Sequence, residues 1–148
     1  DRGVIDLPLR REEQGREAFM RICAPDHPDA EAARTHYKTL AATAEAALLQ
    51  LAPETGRMHQ IRVHLASLSR PIVGDVRYGG ALAVAGHPVP RLMLHAEMLS
   101  FPHPEGGMRK IEAPPPRDMA QLIETLGLAP RITSLEAGEE RPETSAVS

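Results

Sequence analysis

Between Pro53 and Leu65 the chain reads PETGRMHQIRVHL, which gathers Arg57, His59, Gln60, Arg62 and His64 behind a turn at Gly56. The pattern predicts a helix over residues 57–69, started by the Pro-Glu-Thr-Gly turn and ended by Pro71. Arginine in a first turn opposes the helix dipole, which favours anions at that end. A phosphate held by free backbone N–H groups, Arg57 and His59 would remove the conflict. A solvated arginine beside a turn glycine fits the same residues, so spacing alone leaves both readings open. Arg62 is more constrained. At ~100° per residue Met58, Ile61, Leu65 and Leu68 share one arc that should face the core, and Arg62 lies ~40° from Met58 at its margin. His64 borders the other edge. A guanidinium held there calls for a carboxylate partner, or else its stem packs while its head reaches water.

Other residues could do chemistry too. The chain has two tyrosines, two phenylalanines and no tryptophan. Any platform for stacking a nucleobase must therefore use Tyr37, Tyr78, Phe19, Phe101 or a histidine. Seven histidines raise the question of a metal. His59 and His64 would lie ~140° apart on a helix, unlike an i, i+4 ligand pair, and no acidic or cysteine partner completes a recognisable set. No metal site is expected.

The elements that must position these residues are legible in outline. Gly3–Leu9 reads as a short extended segment, residues 10–17 as a charged turn or loop, and Ala18–Ala24 as a strand. Thr35–Leu40 alternates Thr35, Tyr37 and Thr39 against His36, Lys38 and Leu40. Ala46–Leu51 is a more apolar strand able to pair with it, although the linker has no Gly or Asn-Gly turn. Ile72–Val76 should be extended and residues 78–90 a flexible loop. Leu92–Phe101 and Met108–Ala113 form a hairpin across HPEGG, and Asp118–Leu126 a short helix. Residues 1–132 form one domain, and 133–148 an acidic tail expected to be disordered.

Composition permits a nucleic-acid partner. The chain of 148 residues has a net charge of −3, but the charge is uneven. Residues 53–117 hold eight cationic against five anionic side chains, and residues 118–148 hold two against six. The middle is mildly basic, which RNA binding allows. No apolar run of ~18 residues is present to span a membrane. The first residues lack a signal-peptide core. The lone Cys23 fits a reducing, cytoplasmic setting.

Several segments, in order, resemble the RluA-type pseudouridine synthase family. GVIDLPL is similar to its G-x-I-D-x-P-L segment, ARTHYKTL to its A-x-T-x-Y strand, and ETGRMHQIRVHLA to its G-R-x-H-Q-I-R-x-H helix. RPIVGDVRYGG resembles the P-I-x-G-D-x-x-Y-G loop, RLMLHAEMLSFPHP the L-H-A-x-x-L-x-F-x-H-P strand, and IEAPPPRDM the closing A-P-x-P-x-D segment. The likeness covers roughly Gly3 to Leu126. It implies a mixed α/β (α+β) fold, largely an antiparallel sheet with packed helices. The implied activity is cofactor-free isomerisation of uridine in rRNA or tRNA. Tyr37 and Arg62 would be the catalytic residues: Tyr37 stacks on the flipped uracil and serves in proton removal, and Arg62 ion-pairs the nucleophilic aspartate. Arg57, His59, Gln60 and His64 would hold RNA or orient the site, and Asp75 would be structural.

The resemblance also marks a gap. The family's nucleophile lies in an H-R-L-D-x-x-T-S-G segment ahead of GVIDLPL, and these 148 residues contain no HRLD. The expectation is a C-terminal part of the catalytic domain, inactive alone, whose unpaired sheet edge favours self-association. The rival expectations are a non-catalytic RNA-binding module and a histidine-based metal protein.

Overall fold

The computed structural model describes residues 1–129 and 143–148. Strand β1 is Arg2–Asp6 and stops short of Pro8, which has no N–H to give a ladder. Strands β2 (Leu9–Gln14) and β3 (Glu17–Ile22) form a hairpin around Gly15, whose φ of 63° closes the turn. Residues 10–17 are thus strand and turn rather than a charged loop. The signal was weak because, within β2, only Leu9 is buried and both faces beyond it are polar. Strands β4 (Arg34–Ala42) and β5 (Ala47–Pro53) pair antiparallel as expected. Their glycine-free turn is closed by Thr43, whose hydroxyl accepts the N–H groups of Glu45 at 3.3 Å and Ala46 at 3.2 Å.

Helix α1 is Gln60–Ser67, shorter than expected. Met58 precedes it, Leu68 follows it, and both are exposed. The segment after Pro71 is not extended but folds through turns into a single 3₁₀ turn, Val76–Tyr78. The following loop carries a two-strand ribbon, β6 (Ala83–Val84) with β7 (His87–Pro88). Strands β8 (Leu94–Pro102) and β9 (Met108–Glu112) form the expected hairpin, with Gly106 and Gly107 at positive φ, and α2 spans Arg117–Thr125.

Strand β10 (Glu143–Val147) corrects the expectation of a disordered tail for the last residues. It lies inside the main six-stranded sheet, whose order is β1-β4-β5-β10-β8-β9 with antiparallel neighbours throughout. Ala146 and Val147 are fully buried, and Ser145 Oγ donates to Glu97 Oε2 at 2.8 Å. Small and β-branched residues suit a strand buried on both sides. Residues 130–142, the rest of that tail, lie outside the described residues. The fold is mixed α+β. Leu48 and Leu51 of β5, Leu65 of α1, Met119 of α2 and Val147 of β10 share one core. Leu9, Met20, Ala33 and Val63 form a second, smaller cluster that docks the β2–β3 hairpin on α1. Among the described residues no helix is long and apolar enough to cross a membrane.

Candidate functional site

Helix α1 is enclosed by different neighbours around its circumference, and the site grows from that placement. Ile61 and Leu65 face the main core, Val63 faces the hairpin, and Gln60 and His64 face β4. Arg62 points to the loop at Asp75. A helix surrounded this way carries no single apolar stripe, so the arc drawn from Met58 to Leu68 holds only at Ile61 and Leu65.

Arg62 has its carboxylate within the chain. Its Nε donates to Asp75 Oδ2 at 3.0 Å and its Nη2 to Asp75 Oδ1 at 2.8 Å, a two-pronged charge-assisted pair. The Asp75 side chain is 0% exposed and that of Arg62 is 19% exposed. The hydrogen bonds it donates to Asp75 raise the already high pKa of Arg62 against the opposing effect of burial. The loop is shaped to deliver Asp75. A side chain at Gly80 would strike the carbonyl of Ile72 and the backbone of Asp75, and one at Gly74 the carbonyl of Arg91. Above the pair, Arg62 Cζ stands 5.1 Å from the centre of the Tyr78 ring, within cation–π range.

Gln60 and His64 form an internal network. His64 Nε2 lies 2.9 Å from the Leu7 carbonyl, which only accepts, so Nε2 carries the proton. Nδ1 then accepts from Thr35 Oγ1 at 2.8 Å, and Thr35 Oγ1 accepts from Gln60 Nε2 at 3.0 Å. Gln60 Oε1 receives Thr55 Oγ1 at 2.6 Å and the Arg57 N–H at 3.2 Å. Burial lowers the His64 pKa below its ordinary 6.5, in keeping with a neutral ring. Both residues are buried, with their polar side-chain atoms bonded inside the protein. They remain able to orient the site.

Arg57 and His59 precede the helix. Arg57 is exposed and its Nε donates to the Ala32 carbonyl at 3.0 Å. His59 caps α1 in the left-handed region, φ 53° and ψ 20°, a conformation that L-residues adopt at a cost. That turn brings its Nδ1 to 2.7 Å from Tyr78 Oη, which also accepts the Met20 N–H at 3.1 Å. The Tyr78 hydroxyl, accepting the Met20 N–H, keeps its own proton free to donate to a neutral His59, whose pKa is lowered first by burial and then by Arg62 and Arg77. Tyr78 is the centre of this group. Two sequence signals pointed to it: the scarcity of aromatics and its place in RPIVGDVRYGG.

Tyr37 sits elsewhere. It faces Gly3 across the β1–β4 ladder, and any side chain at Gly3 would run into its ring and hydroxyl. The tyrosine ring thus lies across β1, where glycine leaves room for it, and packs against the main core. The structure joins Arg62, Asp75, Tyr78 and His59 in one group and seats Tyr37 in another. Among the described residues no cluster of histidine, cysteine or acidic side chains could hold a metal ion. An anchored guanidinium at a half-buried rim suits orienting a carboxylate or holding an anion.

Comparison with known proteins points in one direction. Residues 2–67 match the family model for RNA pseudouridylate synthase. Over 130 residues the chain is 38% identical to the ribosomal large subunit pseudouridine synthase D of Nitrosomonas europaea, covering 84% of this chain and 36% of that protein. Over 135 residues it is 37% identical to the protein of the same name from Vibrio vulnificus, covering 84% and 40%. The fold resembles human RNA pseudouridylate synthase domain containing 4, with a TM-score of 0.70 and 27% identity over 86% of this chain and 57% of that one. The chain spans only 36–40% of the length of these curated relatives.

Proposed function

The chain belongs to the RNA pseudouridylate synthase family, and on that premise we propose that it carries part of the catalytic domain of an enzyme that converts uridine to pseudouridine in rRNA or tRNA. In that reaction the C1′–N1 bond breaks, a C1′–C5 bond forms, C5 loses a proton and N1 gains one. The atoms balance without an oxidant, a reductant or a cofactor. A paired uridine must leave its stack to react, so the substrate is read as a flipped nucleotide. The cytoplasm is the setting this reading gives.

The observation that carries the proposal is the anchoring of Arg62. Asp75 engages its Nε and Nη2. Among the described residues Nη1 has no partner, so it is the edge left for a second carboxylate. Asp75 itself is a poor nucleophile, since both its oxygens are bonded to the guanidinium and its side chain is buried. The attacking carboxylate is therefore not Asp75; on the family resemblance it is the aspartate of an H-R-L-D segment, which these 148 residues do not contain, aligned by Arg62. Tyr37 stacks on the uracil and takes part in removing the C5 proton. Arg57 and His59 contact the RNA near the start of α1, and Gln60 and His64 hold that start in place. The outer strands β1 and β9 give the sheet edges along which a second copy would associate.

Loss of the C5 hydrogen provides the assay. RNA labelled with tritium at uridine C5 releases the label when treated with the complete protein, whereas these 148 residues alone release none. In the complete protein Arg62→Ala lowers turnover on the order of 100-fold, while the Kd for RNA changes little. Near-normal turnover in that variant would disprove the role of Arg62. Binding without any tritium release by the complete protein would make the chain an RNA-binding module instead.

A further inference from the structure

The β2–β3 hairpin, α1 and the 76–78 turn enclose an open cavity of about 300 Å³, lined by Met20, Arg21, Val63, Ser67, Arg77 and Tyr78 among others. Its polar and aromatic groups are organised around Phe19. Arg77 Cζ lies 4.4 Å and Arg21 Cζ 5.2 Å from the centre of the Phe19 ring. That ring stands edge-on to Tyr78, with centroids 6.3 Å apart and an 82° angle. Arg21 is neutralised by Glu12 at 3.0 Å, as Arg62 is by Asp75 at 2.8 Å. Arg77 is different. It donates to the Ala18 carbonyl, and among the described residues no carboxylate lies within ion-pair distance of it. A guanidinium fixed by a ring and a carbonyl, with its charge uncompensated, is prepared for an anion.

The cavity is separate from the Arg62 group but adjacent to it. Tyr78 forms the shared wall, tied by its hydroxyl to His59 on one side and to the Met20 N–H on the other. The volume lies at the low end of the range of about 300–1,000 Å³ for small-ligand sites and suits a single nucleotide. Ile22, 36% exposed, and the half-buried Ala66 offer apolar surface to a base, and Arg77 offers a cation to a phosphate, while the hydroxyls of Ser67 and Tyr78 are already engaged by the His64 carbonyl and by His59 and Met20. We infer that this cavity is a second nucleotide subsite, which takes an RNA nucleotide next to the reacting uridine with Arg77 on its phosphate. The inference rests on the RNA-modifying reading of the Arg62 group. It adds a contact that would fix which strand segment is presented, because phosphate contacts set register while leaving the reacting base free.

The test is binding of a fluorescent stem–loop RNA to the complete protein, followed by anisotropy at several salt concentrations. Arg77→Glu weakens binding about tenfold and lowers the slope of log Kd against log salt by about one, the signature of one lost phosphate contact. Arg77→Lys keeps most of the affinity. Arg77→Gln gives an intermediate loss and guards against a folding defect from charge reversal beside Phe19, with thermal melting as the check. Arg109→Glu on the exposed strand β9 makes the same charge change and shifts Kd less than twofold. If Arg77→Glu and Arg77→Gln bind no worse than Arg109→Glu, the subsite is overturned while the RNA reading stands. If the unaltered protein does not bind RNA, both fall together.

Discussion

Asp75 is the residue on which the candidate site depends. Sequence reading gave Arg62 a carboxylate partner and gave Asp75 a structural role, but it did not join the two. They are 13 positions apart across a turn whose path depends on Gly74 and Gly80. No periodicity spans such a turn, so the pair was illegible until the chain was folded. Removing one member of a buried ion pair leaves the other uncompensated and typically costs about 3–5 kcal/mol. Arg62 retains some access to water, which places the expected loss for Asp75→Asn near the lower end, about 3 kcal/mol. Urea unfolding of the variant measures it, and an unchanged midpoint would mean that the pair does not hold the 72–80 loop.

Helix α1 shows the same limit at the level of elements. Its existence was plain from Gly56, Pro71 and the residues between them. Its buried side was not, because Gln60 and His64 are inside while Met58 and Leu68 are outside. Polar residues occupy the interior here because each finds a partner: Gln60 and His64 through Thr35, and His64 also through the Leu7 carbonyl. Thr35→Val should cost about 1–3 kcal/mol, since it leaves a Gln60 N–H and His64 Nδ1 unpaired. The network also predicts a pH dependence. Burial lowers the His64 pKa below 6.5, and His59 is shifted in the same direction. The unfolded chain therefore binds more protons than the folded one just below pH 6.5. Stability is full above about 6.5 and declines as pH falls through and below that value. Denaturation midpoints at pH 7.5 and 5.5 measure the decline, and His64→Gln should reduce it.

For the whole molecule the decisive element is β10. It pairs with both β5 and β8, and the backbone of Val147 also bonds to Val73 and Met93. Without it the sheet would divide into β1-β4-β5 and β8-β9, leaving two more edges that invite association. Deleting residues 143–148 should abolish cooperative unfolding or convert the chain to oligomers, as seen by circular dichroism and size-exclusion chromatography. Val147→Asp should destabilise by several kcal/mol, because it places a charge at a fully buried position. A truncated chain that melts cooperatively as a monomer would show that β10 is dispensable.

The sequence by itself determined the family, the strand pairs β4–β5 and β8–β9, the two helices and the residues offered for chemistry. Those features are local: alternation, turn residues and ordered motifs are written in consecutive positions. Tertiary structure alone decided that PETGRMHQIRVHL divides into an exposed Arg57, a half-buried His59 bonded to Tyr78, a saturated interior pair of Gln60 and His64, and an Arg62 held by Asp75. It also turned the final residues into a central strand and set Arg77 beside a cavity without a counter-charge. Each of these rests on a contact between segments distant in sequence. Such contacts depend on how the whole chain closes, and no single stretch of residues encodes that closure.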